Sequence, residues 1–173
     1  MLRSQLLERQ GVLGFRNPVG LQLFRGGRLL KQFGCFNDIT NVGKNHIFDI
    51  QFNGGTQIAN NNWWVALINE SGYSAVAASD TMSSHAGWTE FTTYSQSTRV
   101  AWGSGAASGQ SVTNASPATF DITGTGTLKG VFIVGNGSAK GGTSGTLWAT
   151  ALFGSNVPVL NGDQIKITYT VSA

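Results

Sequence analysis

Between Ser79 and Trp102 the chain gathers side chains that could do acid–base chemistry: Asp80, Ser83, Ser84, His85 and Glu90. A hydrolytic triad needs more than proximity in sequence. Its nucleophile must stand on a strained turn, and its base must be oriented by a third group. No Gly-x-Ser-x-Gly elbow is present, so the expected role of Ser79–Ala86 is structural. Ser79 can cap a short helical turn within 75–86, and Gly87 can end it. After Gly87 the pattern turns to a period of two, with Trp88, Glu90 and Thr92 on one face and Thr89, Phe91 and Thr93 on the other.

Other chemistries fare no better. His46 and His85 are the only imidazoles and lack metal-binding spacing, and Cys35 is the single cysteine, so no metal centre and no intrachain disulfide is expected. Gly135-Asn-Gly-Ser-Ala-Lys-Gly-Gly-Thr143 resembles a phosphate loop but lacks its Gly-Lys-Ser/Thr ending, which leaves a long hairpin tip. Asp49, Glu70, Asp80, Glu90, Asp121 and Asp163 offer acids, yet nothing marks two of them as a glycosidase pair. Trp63, Trp64, Trp88, Trp102 and Trp148 would stack sugars only if several lay exposed together; core packing is the default. The expectation is a non-enzyme with no catalytic residues and no cofactor.

The elements that would position these residues are β. Of 173 residues 24 are Gly, and charged residues are 11%, less than half the roughly 25% of ordinary soluble domains. The rest is rich in Thr, Ser, Asn, Val, Ile and aromatics, which suits strands joined by tight turns. Leu21–Phe36 reads as a hairpin turning at Gly26-Gly27. Residues 40–52 alternate partly like a strand, but Thr40 is a good cap, and Val42, Ile47 and Ile50 share a helical face; a helix ending at Asn53-Gly54-Gly55 is favoured. Strands are expected at 63–68, 88–94, 98–102, 119–123, 127–134, 147–153 and 165–171, with a Gly/Ser-rich loop at 103–110. These point to one mainly-β domain, a β-sandwich of jelly-roll type, over residues 21–173, preceded by an arm at 1–20 that holds one short amphipathic helical turn.

Charge is uneven. Residues 1–44 carry Arg3, Arg9, Arg16, Arg25, Arg28, Lys31 and Lys44 against Glu8 and Asp38, whereas the remainder is slightly acidic. A basic leading segment suits contact with an acidic partner surface, and Arg3, Arg9, Arg16, Arg25 and Arg28 are the candidate partner-binding residues. It carries no nucleic-acid motif, so no specific nucleic-acid partner is expected. The first ten residues are too charged for a secretory signal, and no apolar run is long enough for a membrane span.

Several blocks resemble a group of small tailed-bacteriophage virion proteins. They are Thr40-Asn-Val-Gly43 with Asp49, Asn53-Gly-Gly-Thr-Gln57, Trp63-Trp-Val-Ala-Leu-Ile68, Asp80-Thr-Met-Ser-Ser-His-Ala-Gly-Trp-Thr-Glu-Phe91, Lys140–Phe153 and Asn161-Gly-Asp163. The resemblance spans about residues 20–173. It implies a virion component, and among such roles a capsid cement (decoration) protein: a jelly-roll module, trimeric or alternatively dimeric, that sits on the capsid surface and bridges major capsid protein subunits. A tail or fibre-attachment component, or a carbohydrate-binding module, is the alternative.

Overall fold

The computed structural model describes residues 17–172. The expected helical turn of the arm, with Arg3, Arg9 and Arg16, therefore lies outside the described residues. Strand β1 (Pro18–Arg25) runs into β2 (Arg28–Ile39) through Gly26 and Gly27. Both glycines have positive φ, 55° and 76°, the backbone a two-residue hairpin needs to match strand twist. Strand β1 thus begins at Pro18, three residues ahead of the boundary read from sequence.

Helix α1 (Asn41–Phe52) follows directly. Thr40 caps it by accepting a hydrogen bond from the Gly43 amide at 3.0 Å. Gly43 is its one fully buried residue. A Cβ there would collide with the Trp148 carbonyl, so glycine lets the helix lie directly on the sheet. His46, Ile47 and Ile50 continue the same stripe, while Phe48 and Phe52 face outward.

The remaining strands are β3 (Trp63–Asn69), β4 (Glu90–Phe91), β5 (Val100–Ala101), β6 (Ser111–Thr113), β7 (Ala118–Asp121), β8 (Gly126–Gly135), β9 (Thr146–Val159) and β10 (Asp163–Ser172). All pairings are antiparallel, in the order β4-β3-β8-β9-β2-β1-β10-β6, with β5 on β3 and β7 on β10. The fold is mainly β, as expected. Its facing layers are two parts of one continuous sheet curled into a half-barrel. The Trp102 indole closes the curl by donating to the Tyr169 carbonyl at 3.0 Å, and Tyr94 meets Phe120 edge-on at 5.1 Å.

Alternation along the strands fills the curl. Val19, Leu21 and Leu23 of β1 face it with Ile165, Ile167 and Tyr169 of β10, against Val65 and Leu67 of β3 and Val131 and Ile133 of β8. The opposite face of β3 and β8 is also covered. Ala66, Ile68, Phe132 and Val134 pack there with Leu147, Met82 and Trp88, so the central strands are apolar on both sides.

Three expectations need correction. Residues 75–86 form no helical turn; they make a chain of tight turns, in which Thr81 and Ser84 exchange backbone hydrogen bonds at 3.0 and 3.1 Å. Asp80, rather than Ser79, supplies the local cap, accepting from the Ala77 amide at 2.9 Å. Short polar side chains that bond nearby backbone compete with helix in this way. Gly87 ends no helix: a Cβ would collide with the Ala75 carbonyl. The strands expected at 88–94 and 98–102 shrink to the two-residue β4 and β5, each at the margin of β3.

Candidate functional site

The structure sends the chemistry-bearing residues of 79–102 to separate partners. Trp88 is buried, and its indole donates to Asp80 Oδ2 at 2.9 Å. The His85 ring stacks on the indole at 4.0 Å, and its Nδ1 lies 3.0 Å from the Trp88 carbonyl. Ser83 shares a hydrogen bond with Thr81. Glu90 turns the other way and pairs with Arg99 at 2.7 Å. Asp80 and His85 clamp one tryptophan. The Glu90–Arg99 pair is nearly sealed, with side chains 5% and 1% exposed. Arg99 also donates to the Gly137 and Gly142 carbonyls at 2.7 and 2.8 Å. The segment that resembles a phosphate loop is thus folded onto an arginine, with its carbonyls turned toward positive charge. A phosphate site would need its amides turned toward the ligand.

Three of the five tryptophans converge. Trp63, Trp102 and Trp148 line a cleft of about 370 Å³ between α1 and the sheet, together with His46, Ile47 and Val171. Trp63 meets Trp148 edge-on at 6.3 Å, but Trp102 and Trp148 are each only 8% exposed. The rings are more wall than platform. Sequence spacing gave no sign of this grouping, because only the curl of the sheet brings the three together.

Of the candidate partner-binding arginines, Arg25 and Arg28 are described, and both sit at the tip of the β1–β2 hairpin. Arg25 is committed to Asp163: its Nε and one terminal nitrogen each lie 2.7 Å from the carboxylate oxygens. Asp163 is itself buried and also accepts from the Leu160 amide at 2.9 Å. The bidentate Arg25 hydrogen bonds hold the Asp163 carboxyl below the usual carboxylate range, against the opposing effect of burial. A depressed folded-state value means that the stabilisation is complete above the unfolded carboxyl range, near pH 4, and is lost as pH falls through the folded value. Asp163→Asn is therefore expected to destabilise the protein at neutral pH, with the gap from wild type closing below about pH 4. Urea unfolding across that range checks it; a gap independent of pH refutes the linkage.

Arg28 stands opposite Arg25 and remains exposed, as do Leu29, Leu30 and Lys31 after it. This stretch of β2 pairs with β1 on one side. On the other side the ladder to β9 covers only Asn37–Ile39 against Ala149–Ala151. From Arg28 to Cys35, no strand among the described residues is hydrogen-bonded along that flank, although the Phe33 ring meets Phe153 of β9 edge-on at 5.3 Å. The sequence pattern named Arg25 and Arg28 but missed this open edge. Its one sequence signal is the run of exposed apolar residues beside the turn. The Cys35 thiol, half-buried next to the core, is pushed up to about 11 by burial and is a poor nucleophile.

Among the described residues no three His, Cys, Asp or Glu side chains gather as a metal cluster, and no helix is long and apolar enough to cross a membrane. The sequence matches no protein-family model and no curated protein with significance.

Proposed function

We propose that this protein is a structural component of a tailed-bacteriophage virion. Its role is that of a capsid cement protein that binds the outer lattice and bridges major capsid protein subunits as a homotrimer, or alternatively a dimer. The observation that supports this reading is the exposure of large apolar side chains on a tightly packed body. Leu29 and Leu30 on β2, and Phe48 and Phe52 on α1, lie 47–79% open. Clustered exposed apolar groups mark surfaces that become covered on association. The resemblance of the Asp80–Phe91 block to phage virion proteins agrees with it, and that block serves the fold by clamping Trp88 over the sheet. Stabilisation would arise by mass action: a module that binds assembled shell and not its dissociated subunits makes the shell harder to open, and repetition over the lattice multiplies modest contacts.

Purified protein mixed with expanded phage heads assembled without it should co-sediment to saturation and raise the temperature at which the heads open. Failure to bind such heads, or density for the chain in the tail of the intact particle, overturns the reading. The Trp63–Trp102–Trp148 cleft favours a second reading, a tail or fibre component, or a carbohydrate-binding module, that contacts glycan. Retention on immobilised glycans without binding to heads would establish it.

A further inference from the structure

We infer that the outer edge of β2, from Arg28 to Cys35, is a docking site for one extended, carboxylate-bearing segment of another protein, added to the sheet as a further strand. This deepens the cement reading by naming the contact, and it rests on that reading only for the identity of the partner.

The backbone supplies the first argument. Asn37 directs its amide toward β1, donating to the Asn17 carbonyl at 3.1 Å. Residues two apart on a strand point their amides the same way. Phe33 and Cys35 therefore also face β1, and the amides and carbonyls of Gln32 and Gly34 face the open flank. Unpaired groups in a row are a template for an incoming strand. Eight residues at about 3.4 Å each give an edge of roughly 27 Å.

Charge supplies the second. Arg28 and Lys31 lie along this edge, and no Asp or Glu occurs between Gly26 and Asn37. Arg25 is neutralised by Asp163, whereas Arg28 and Lys31 form none of the ion pairs found among the described residues. The nearest acid on the strand, Asp38, lies where β2 is already paired with β9.

The same features argue against a second copy. Two β2 edges would bring four cations into one ladder, and like charges facing each other across strands repel. The register shift opposite Leu23 and Phe24, which leaves Leu30 without a partner on β1, bends the edge further from self-pairing. Lysine and a bulge are devices that deter edge-to-edge association of identical chains. They leave open a partner strand whose carboxylates meet Arg28 and Lys31 and whose apolar side chains cover Leu29 and Leu30.

The test uses the full chain and two labelled nine-residue peptides of alternating Val and Thr, one carrying two Glu and the other two Lys. By fluorescence anisotropy the Glu peptide should bind about tenfold more tightly, and the preference should shrink as salt rises. Gly34→Pro removes an outward amide without touching the β1 ladder, and should abolish binding while the far-ultraviolet spectrum is unchanged. The double change R28E/K31E, which needs no backbone adjustment, should invert the preference toward the Lys peptide. Equal binding of both peptides, unaltered preference in R28E/K31E, or sedimentation of the wild-type chain as a dimer that Gly34→Pro dissociates would overturn the inference. Binding to phage heads separates the two proposals. Heads that take Gly34→Pro as well as wild type refute the edge and keep the cement reading; peptide binding without head binding does the reverse.

Discussion

Arg99→Met is expected to lower stability by about 3–5 kcal/mol, the usual cost of removing one partner from a buried ion pair. Arg99 is the hub of its surroundings. Its Nε lies 3.1 Å from both Glu90 oxygens, its terminal nitrogens reach Glu90, Gly137 and Gly142, and its guanidinium sits 5.2 Å from the Phe132 ring centre. Glu90 holds the same loop from the other side, accepting from the Gly141 amide at 2.8 Å. Methionine would keep much of the packing volume but strand a carboxylate and two carbonyls away from water. For a chain of this size the loss corresponds to roughly 10 °C in Tm. The double variant Arg99→Met/Glu90→Gln should recover part of the deficit, because the uncompensated charge is gone. Denaturant unfolding of the three proteins checks this; a cost below about 1 kcal/mol for Arg99→Met would mean that the pair behaves as a solvated one.

The same cluster shows where reading the chain by pattern succeeds and where it stops. Local rules located what local chemistry decides: Gly26-Gly27 at the hairpin, the Thr40 cap on α1, and the alternation of Ile165, Ile167 and Tyr169 in β10. They failed where the deciding partner is distant. Arg99 and Glu90 are nine residues apart, and nothing in either position announces that their side chains will be sealed together, with the guanidinium over Phe132 of β8. Residues 75–86 carry helix-capping side chains, yet Asp80 bonds the Ala77 amide and the Trp88 indole instead, and Trp88 is held by the outer face of β3 and β8. The open flank of β2 was invisible for a related reason. Its alternation is that of any strand, and only the early end of the β9 ladder, at Asn37, leaves it without a hydrogen-bonded neighbour among the described residues.

Trp88→Ala should cost about 3–5 kcal/mol, as large-to-small changes at buried aromatics do. Trp88 is 2% exposed, lies 5.1 Å from Phe132 ring to ring, and carries His85 stacked on its other side. Without it, Met82 and the turns from Tyr73 to Ala86 lose the side chain that fastens them over the sheet. The loss should therefore appear locally as well as globally, as faster protease cleavage between Tyr73 and Ala86. Trp88→Phe keeps most of the ring but removes the indole N–H, and should cost only about 1 kcal/mol, the net worth of one hydrogen bond. Asp80 would still accept from the Ala77 amide. The contrast between the two variants separates packing from polarity at the place where Ser, Asp, His and Glu most resemble an active site. A structural clamp gives way, first at Tyr73–Ala86 and then across the sheet face it covers.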